Sequence, residues 1–219
     1  MPVVDSAISH SPIALKRAGV VAYLDALELQ RSLHKEIAAD LRENTLLLLE
    51  HPSVFTAGKR TQDHERPNDG SLVIDVDRGG KITWHGPGQL VGYPIVRLAK
   101  PTELVGFVRE IESALISICQ ELGLAAERVE GRSGVWVVDD RGARKIAAIG
   151  IRVASGVSMH GFALNIDPDL SAYELIIPCG IDDASVTSLS KELGRSISTD
   201  EVLPIVEKHM YESLAKVSR

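Results

Sequence analysis

Apolar residues recur at helical spacing in two long segments of the chain. The segment from Val20 to Leu41 follows this spacing and predicts an amphipathic helix. The segment from Thr102 to Leu122 predicts a second long helix, with Thr102 as its N-cap and Gly123 at its end. From Ala184 onward the pattern predicts short helices only. Helices therefore flank and separate the parts of the chain that follow a strand pattern.

Short apolar runs with turn residues between them predict the strands. The continuous run Thr45–Leu49 predicts a buried strand. Pro94 removes a backbone donor, so its run predicts an edge strand or a bulge. Besides Thr45–Leu49, the strand-like runs are Ser53–Ala57, Leu72–Val76, Leu90–Leu98 (which contains Pro94), Gly134–Val138, Lys145–Val153 and Met159–Ile166.

The order of these elements predicts an α/β (α+β) fold with a mixed β-sheet and flanking helices. Residues 1–10 are expected to form a flexible tail, and residues 11–219 a single domain, because no repeat or low-complexity linker interrupts them. A chain of 219 residues with 44% hydrophobic residues has enough apolar material for a core.

Composition and charge exclude several classes of protein. A net charge of −6 argues against a general nucleic-acid binder. No apolar run reaches the length of a membrane span, and the start MPVVDSAISHSP lacks the features of a signal peptide. Two cysteines alone cannot form a disulfide framework or a zinc site. We therefore expect a reduced, cytoplasmic setting.

The stretch from Arg78 to Ile95, RGGKITWHGPGQLVGYPI, concentrates glycine and proline in one place. Glycine clusters mark tight turns or a backbone that approaches a ligand closely. No segment fits the P-loop, and Gly86, Gly88 and Gly92 do not keep the dinucleotide-binding spacing. Two interpretations remain at this point, a ligand-binding wall and a glycine-rich turn between two strands.

Two histidines and one cysteine are candidates for chemistry. His85 and His160 each precede a glycine, so both are candidates to line one pocket. Cys179 lies between Pro178 and Gly180, where it is either a nucleophile or a small apolar residue at a strand end. The other cysteine, in the apolar sequence ALISICQEL, is typical of an inert core residue.

A cysteine nucleophile needs a nearby cation that lowers the pKa of its thiol. Lys145, at the start of the run KIAAIGIRV, is a candidate for this cation. The alternative is a solvated lysine at a strand end, which is the common fate of lysine.

Five motifs in order resemble the octanoyltransferases of lipoate biosynthesis, the lipoyl(octanoyl) transferases. The resemblance runs from about residue 20 to residue 190, and HPSVFTAGKR at 51–60 is similar to the upstream segment of that family. No motif position departs from the family's pattern. The motifs are R-G-G-x-x-T-x-H-G-P-G-Q-x-V-x-Y-P-I, G-V-W-V, K-I-A-A-I-G-I-R, H-G-F-A-L-N and I-I-P-C-G-I.

The resemblance implies an acyl transfer through a covalent intermediate. It implies a fold related to the lipoate-ligase and biotin-ligase catalytic domain, over residues 11–219. The family's catalytic pair corresponds to Cys179, which would carry the octanoyl group as a thioester, and Lys145, the acid/base. The donor is an activated thioester, so the resemblance implies that no ATP, metal or other cofactor is required.

The resemblance also implies a substrate pocket with small side chains, where burial of the acyl chain yields roughly 0.8 kcal/mol per methylene. His160 and Gln89 are candidates for oxyanion stabilisation or support, as are His85 and backbone N–H groups near Cys179. The implied walls are Arg78, Gly79, Gly80, Lys81, Ile82, Thr83, Trp84 and His85; Ala148, Ile149 and Gly150; and Gly161, Phe162 and Ala163.

The implied partners are octanoyl-acyl carrier protein as donor and lipoyl domains as acceptors. These acceptors are the E2 subunits of 2-oxoacid dehydrogenases and the glycine cleavage H protein. We expect a monomer, with no nucleic-acid or membrane partner. Steering of an acidic carrier would need a local basic patch. Candidate members of that patch are Lys59, Arg60, Arg78, Lys81, Arg144 and Lys145.

Two other classes of protein stay open from the sequence. An ATP-dependent lipoate or biotin ligase on the same fold would need a nucleotide site and would not need Cys179. A non-catalytic module that binds carrier proteins would have a structural Cys179. Loss of activity in a Cys179→Ser variant would exclude the ligase, and acyl transfer by the intact protein would exclude the module.

Overall fold

A mixed β-sheet forms the frame of the structure, a computed structural model that describes residues 12–176 and 185–219. Its strands lie in the order β1-β2-β6-β10-β9-β8-β7, and a short β11 pairs with β9. The strands are β1 (Ile13–Val20), β2 (Asn44–Glu50), β3 (Val54–Ala57), β4 (Val73–Asp75), β5 (Thr83–His85), β6 (Gln89–Ile95), β7 (Glu127–Val129), β8 (Arg132–Asp139), β9 (Gly142–Ala154), β10 (Val157–Asn165) and β11 (Ser185–Val186).

Both parallel and antiparallel pairs occur in this sheet, which confirms the predicted mixed α/β fold. β1 runs parallel to β2, and β11 runs parallel to β9, whereas the other neighbours are antiparallel. The strands β4, β3 and β5 form a second, three-stranded sheet. The α-helices of the described residues are α1 (Tyr23–Ala38), α2 (Leu104–Glu121), α3 (Leu189–Leu193) and α4 (Thr199–Val217).

Helices cover both faces of the large sheet because β2 is apolar on both faces. Leu46 and Leu48 pack in a core cluster with α2 and α4. Leu47 and Leu49 point the other way and pack in a cluster with α1. The predicted buried strand Thr45–Leu49 is thus confirmed, and it is buried on both faces. Each fully buried leucine contributes about 1.5–3 kcal/mol to the free energy of folding.

The prediction that Pro94 marks an edge strand is wrong, because β6 lies inside the sheet between β2 and β10. Its missing N–H is tolerated because the β6–β10 pairing ends at Gly92 and Phe162. Beyond that point His160 has a φ of +58°, and an added Cβ at Gly161 would lie 2.7 Å from Cδ of Pro94. The chain therefore accommodates Pro94 by a local loss of pairing between β6 and β10, and not by placing β6 at an edge of the sheet.

Two predicted helix features also differ from the structure. Thr102 does not cap α2, which begins after Glu103 without a side-chain cap, although Gly123 follows the end of the helix as expected. The chain after residue 184 holds the 19-residue helix α4 as well as a short one. Pro204 lies inside α4 and suggests a break. The buried face of α4, which packs against α2, outweighs that local cost.

Strand β1 is an element that the hydrophobic pattern did not indicate. It lies at one edge of the large sheet, and only Ile13 among its residues is buried. Its mixed polar sequence IALKRAGV therefore carries little strand signal. The expected tail at 1–10 lies outside the described residues. Within the described part of the chain, no helix is long and apolar enough to cross a membrane.

Candidate active site

A cavity of about 240 Å³ lies between the small sheet and strands β6, β9 and β10 of the large sheet. The described residues that line it include many of those expected from the sequence. From the glycine-rich stretch these are Arg78, Gly80, Lys81, Thr83 and His85; from β9 they are Lys145, Ala148, Ile149 and Gly150; and from β10 they are His160, Gly161, Phe162 and Ala163.

The remaining expected site residues lie elsewhere. In β5, Thr83 and His85 face the cavity, whereas Trp84 points to the opposite side, as strand alternation requires. There Trp84 packs in a cluster with Ile82 and Tyr173. Gly79 and Gln89 do not line the cavity either, and Cys179 lies outside the described residues.

Arg78 holds the glycine-rich loop in shape. Its guanidinium donates hydrogen bonds to the backbone oxygens of Gly79 (3.1 Å) and Lys81 (2.8 Å) and to both the backbone oxygen (2.8 Å) and Oγ1 (3.0 Å) of Thr56. The loop also needs glycine, because Gly80 has a φ of +87°. Arg78 therefore organises the wall of the cavity from a buried position.

A second turn, Gly58–Arg60, docks on this loop through its backbone. The N–H groups of Lys59 and Arg60 donate to the carbonyls of Arg78 (3.2 Å) and Gly80 (3.1 Å). An added Cβ at Gly58 would lie 2.5 Å from the Gly80 oxygen, so this close approach requires glycine. The exposed Arg60 is thereby fixed at the edge of the cavity.

A buried hydrogen-bond network fixes the imidazole of His85. The amide nitrogen of Gln89 donates to Asn165 Oδ1 (2.8 Å), which leaves Gln89 Oε1 as the acceptor for His85 Nδ1–H at 2.7 Å. Asn165 in turn donates to the Thr187 carbonyl at 2.9 Å. Burial lowers the pKa of His85 to about 3, with a smaller contribution from His51. His85 is therefore neutral, and its Nε2 is a hydrogen-bond acceptor.

This assignment bears on the expected role of His85. A neutral imidazole with its proton on Nδ1 has no N–H at Nε2 to offer an oxyanion. Thr56 Oγ1 lies 3.4 Å from that Nε2. The expectation that His85 is an oxyanion donor does not fit this hydrogen-bond arrangement.

His160 is held by three constraints at the other side of the cavity. Its backbone has a φ of +58°, its N–H donates to Gln30 Oε1 at 2.9 Å, and its Nε2 lies 2.9 Å from Asp77 Oδ1. Burial lowers the pKa of His160, although the Asp77 carboxylate opposes this shift. The candidate oxyanion donor thus has a carboxylate partner at its Nε2.

Three aromatic side chains near His85 were not identified from the sequence. Tyr23 stacks on the His85 ring with centroids 6.1 Å apart, and His51 contacts the same ring edge-on at 5.7 Å. His51 Nε2 lies 2.8 Å from the hydroxyl of Tyr93, which lines the cavity. In the sequence, His51 could have indicated this aromatic group, because it is the first residue of the motif HPSVFTAGKR.

Lys145 is buried at the cavity, with 6% of its surface exposed. Its Nζ lies 4.6 Å from the centroid of the Trp136 ring, within the range of a cation–π contact. Strand β11 pairs beside it, with Val186 opposite Lys145, and the Thr187 N–H donates to the Lys145 carbonyl at 2.9 Å. The alternative of a solvated lysine is wrong for this residue.

The expectation that Arg144 belongs to an exposed basic patch is also wrong, because its side chain is buried in ion pairs. It contacts Asp139 and Glu192 at 2.7 Å each. The Arg144 guanidinium lowers the pKa of Glu192 to about 2, and Thr187 adds to this effect. Lys81 pairs with the buried Glu65. Of the patch candidates, Lys59 and Arg60 are exposed.

The second cysteine of the chain has no access to this site. Cys119 lies in α2 within the main core cluster and has no exposed surface. Burial raises the pKa of its thiol to about 12. The prediction of an inert core cysteine is therefore confirmed.

Comparison with known proteins places the chain among acyl-transferring and ligase domains. The lipoyl protein ligase A/B catalytic domain matches residues 22–211. An octanoyltransferase of Salinispora tropica is 62% identical over 200 residues, 90% of this chain and 94% of that relative. An octanoyltransferase of Mycobacterium sp. (strain KMS) is 61% identical over 208 residues, 94% of this chain and 87% of that relative.

Solved structures with low identity share the fold. A bi-partite lipoate protein ligase from Thermoplasma acidophilum superposes with a TM-score of 0.71 at 17% identity, covering 94% of this chain and 84% of that chain. Lipoate-protein ligase A bound with ATP gives 0.67 at 16% identity, with coverages of 94% and 85%. The biotin protein ligase of Aquifex aeolicus gives 0.51 at 14% identity, with 93% and 68%. The expected fold relation is thus confirmed.

Proposed function

Because the chain belongs to the octanoyltransferase family and carries the lipoyl protein ligase A/B catalytic domain, we propose that it transfers octanoyl groups from acyl carrier protein to lipoyl-domain lysines. The main support for the mechanism is that Lys145 is buried at the edge of the cavity. Desolvation strengthens the interaction of its ammonium group with an anion. A thiolate is the anion that the proposed reaction needs.

Chain connectivity supports Cys179 as the source of this thiolate. Val186 lies opposite Lys145 in the parallel pair of β11 and β9, and Cys179 precedes Val186 by seven positions. Seven residues span at most about 25 Å, so connectivity permits the thiol to reach the cavity. A lysine cation beside it would lower the pKa of Cys179 and raise its thiolate fraction.

In the first half-reaction, the Cys179 thiolate attacks the carbonyl carbon of the octanoyl thioester. The bond between this carbon and the donor sulfur breaks, and the leaving thiolate takes a proton from the Lys145 ammonium. The products are the Cys179 thioester, the free carrier thiol and a neutral Lys145. No phosphoanhydride is consumed, since the donor is already activated, and we expect no requirement for ATP or a metal ion.

In the second half-reaction, the amine of the acceptor lysine attacks the Cys179 thioester. The nitrogen loses a proton to the neutral Lys145 as the amide forms, and the Cys179 sulfur leaves as a thiolate. The starting ion pair is thereby restored. The archaeal ligase with the same fold is described together with its E2 lipoyl domain, which supports an acceptor of that class.

The walls of the cavity suit an acyl chain at one end and a charged donor at the other. Gly150, Gly161 and Ala163 present little side-chain volume to a slender chain. Arg60 lies at the edge, and among the described residues no hydrogen bond or ion pair engages its side chain. A carrier protein delivers its acyl group on an arm with a phosphodiester, and a guanidinium binds such groups well.

The choice of donor can be tested with octanoyl-phosphopantetheine and octanoyl-pantetheine, which differ in one phosphate. We expect the phosphate to raise kcat/KM about tenfold, the lower range for a charged hydrogen bond, and Arg60→Gln to abolish most of this advantage. Lys59→Gln is the matched control, because Lys59 lines a separate groove with Asp75 and Asp77. An equal loss in both variants would argue against phosphate recognition by Arg60.

The transferase itself is tested by the mass of a lipoyl domain after incubation with octanoyl-acyl carrier protein and the protein. Wild type and Cys119→Ala should add one octanoyl group to the domain without ATP, and Cys179→Ser should not. Transfer that depends on ATP and survives in Cys179→Ser would instead identify a ligase. No transfer by any variant would favour a carrier-binding module.

A further inference from the structure

Two side chains that line the cavity each carry a polar group without a hydrogen bond. One group is the hydroxyl of Tyr23, a residue with 5% of its surface exposed. The other is Nδ1 of His160, a residue with 1% of its surface exposed. Among the residues that the structure describes, no hydrogen bond reaches either group. Because an unpaired buried polar group costs free energy, two of them on one cavity wall indicate a ligand group that pairs with them.

The hydrogen bond between His160 and Asp77 determines what Nδ1 can do. Nε2 of His160 lies 2.9 Å from Asp77 Oδ1, and this bond lowers the pKa of Asp77 although burial opposes the shift. The carboxylate can only accept, so Nε2 carries the proton. Burial lowers the pKa of His160, so the ring is neutral near pH 7. Nδ1 is therefore a hydrogen-bond acceptor.

Helix α1 places Tyr23 on the same side of the cavity as His160. Gln30 follows Tyr23 by two helical turns, and its Oε1 accepts from the His160 N–H at 2.9 Å. Tyr23 also packs with Met159, the residue before His160. Burial raises the pKa of Tyr23 to about 12, and the Asp77 carboxylate adds to this effect. The hydroxyl is therefore protonated, and it can both donate and accept.

Strand register places both groups far from Lys145. His160 lies opposite Ile151 in the pair of β9 and β10. Lys145 precedes Ile151 on β9 by six positions, which corresponds to about 20 Å of strand. Between these ends, Ala148 and Gly150 line the cavity with little side-chain volume. An acyl chain whose carbonyl carbon lies beside Lys145 therefore extends along the strands toward the two unpartnered groups.

We propose that Tyr23, together with Nδ1 of His160, determines specificity for the far end of the acyl chain and accepts a medium-chain acyl group with a hydroxyl on its ω-carbon. The inference rests on the proposed function, which places the thioester carbonyl beside Lys145. A terminal hydroxyl can donate to Nδ1 and can accept from the tyrosine O–H. A terminal methyl group can do neither, so it leaves both protein groups unpaired.

The test is the binding of pantetheine amides, measured by isothermal titration calorimetry. In these amides an N–H replaces the thioester sulfur, so no transfer occurs. We expect wild type to bind the 8-hydroxyoctanoyl amide about three- to tenfold more tightly than the octanoyl amide, the range of one net hydrogen bond. The 5-hydroxyoctanoyl amide is the matched ligand. It should bind more weakly than the octanoyl amide, because its hydroxyl lies between Ala148 and Gly150, which have no polar side chain.

Tyr23→Phe keeps the ring that stacks on His85 and removes the hydroxyl. We expect its affinity for the 8-hydroxyoctanoyl amide to fall about three- to tenfold. Its affinity for the octanoyl amide should rise about twofold, because the methyl end no longer buries an unpaired hydroxyl. A merely structural role of Tyr23 would lower both affinities. If Tyr23→Phe does not fold, the comparison of the 8-hydroxy and 5-hydroxy amides on wild type supplies the test.

Tyr93→Phe is the matched control. Tyr93 lines the same cavity, but its hydroxyl is engaged with His51 Nε2 at 2.8 Å. This variant should change both affinities by the same factor. The proposal would be overturned by equal affinities of wild type for the octanoyl and 8-hydroxyoctanoyl amides, by an equal change of both in Tyr23→Phe, or by a loss of preference in Tyr93→Phe as large as in Tyr23→Phe.

Binding and transfer separate this proposal from the proposed function. If wild type prefers the 8-hydroxyoctanoyl amide and Tyr23→Phe does not, but no octanoyl group is transferred from octanoyl-pantetheine, the role of Tyr23 stands and the transferase is wrong. If transfer proceeds and wild type binds the two amides equally, the transferase stands and the role of Tyr23 is wrong.

Discussion

The glycine-rich wall and the wall built on β9 differ in how their polar groups are held. In the glycine-rich wall, Arg78 donates to uncharged oxygens, and His85 is a neutral imidazole bound to the amide of Gln89. In the β9 wall, Lys145 lies over an aromatic ring, and its neighbour Arg144, which does not line the cavity, is bound by two carboxylates. The cations of the glycine-rich wall are bound by oxygens, Arg78 by uncharged ones and Lys81 by the Glu65 carboxylate, whereas Lys145 of β9 lies over the Trp136 ring.

In the proposed reaction, this difference would separate acyl binding from chemistry within one cavity. A wall without a reactive group can be shaped by backbone and small residues, so its glycines determine fit. A wall that stabilises a thiolate needs a cation in a defined place, and ion pairs between buried groups define that place. Substitutions in the first wall should therefore affect structure and acyl binding, and substitutions in the second should affect the rate of reaction.

The largest effect should come from Lys145→Met. This variant keeps the aliphatic contact with Trp136 and removes the ammonium group, so we expect kcat to fall by about 10²–10⁴, the usual contribution of an acid/base group. Binding of the octanoyl donor should change little. Steady-state kinetics with the purified variant measures this change, and its melting temperature should match that of wild type. A kcat within threefold of wild type would show that the ammonium group of Lys145 is not needed for the reaction.

A large effect on stability should come from Gly161→Ala. An added Cβ would lie 1.9 Å from the oxygen of Gly92, so backbone in the centre of the sheet would have to move. We expect a loss of about 3 kcal/mol or more in the free energy of unfolding, as for severe overpacking. Gly106→Ala is the control, since its Cβ would meet no atom closer than 3.9 Å and should not destabilise α2.

Urea unfolding of both glycine variants gives the measurement. A stable Gly161→Ala protein that binds the octanoyl donor weakly would mean that the ligand, and not the packing of the sheet, requires glycine at position 161. We predict instead that the packing of the sheet requires glycine at this position.

A smaller effect on stability should come from Glu192→Ala, which leaves the buried Arg144 with Asp139 as its remaining carboxylate partner. Breaking a buried pair costs about 3–5 kcal/mol in the free energy of unfolding, and the remaining Asp139 should keep the loss at the lower end of this range. Glu201→Ala, which removes the exposed pair with Arg195, should cost less than about 1 kcal/mol. Equal losses in the two variants, measured by urea unfolding, would show that the β9 wall is no better anchored than the surface.

The smallest effect is the change in the free energy of unfolding per pH unit, which falls in a different pH range for each wall. The folded pKa of His85, about 3, lies below the unfolded value of 6.5. Its contribution is therefore present above pH 6.5 and is lost as the pH falls toward 3, at up to about 1.4 kcal/mol per pH unit. The folded pKa of Glu192, about 2, lies below 4.5, so its contribution is lost only as the pH falls from 4.5 toward 2.

Urea unfolding at a series of pH values tests these two windows. His85→Gln should flatten the dependence between pH 6.5 and 4, and Glu192→Ala should flatten it only below pH 4.5. If His85→Gln leaves the slope above pH 4.5 unchanged, the imidazole is not held neutral by burial.

The sequence was sufficient for the fold class and for most strands, because β2, β9 and β10 carry long apolar runs. It was weaker for β1 and for α4. The first is a polar edge strand, and the second contains Pro204 and owes its helix to packing against α2. Local pattern does not report either tertiary effect.

In the candidate site, too, the sequence predicted some features and missed others. Motif resemblance indicated the stretch Arg78–His85 as one block, but strand alternation turns Trp84 away from the cavity. The network from His85 to Thr187 spans distant parts of the chain, and no local pattern connects its members. Arg144 resembles a surface charge in sequence, and only the fold shows that Asp139 and Glu192 enclose it.

The most direct test of the central claim is the intact mass of the protein after incubation with octanoyl-acyl carrier protein, followed by peptide mapping. We predict one octanoyl group on Cys179, absent in Cys179→Ser and removed when a lipoyl domain is added. Undiminished transfer to the lipoyl domain by Cys179→Ser, with no acyl adduct on wild type, would contradict the covalent route.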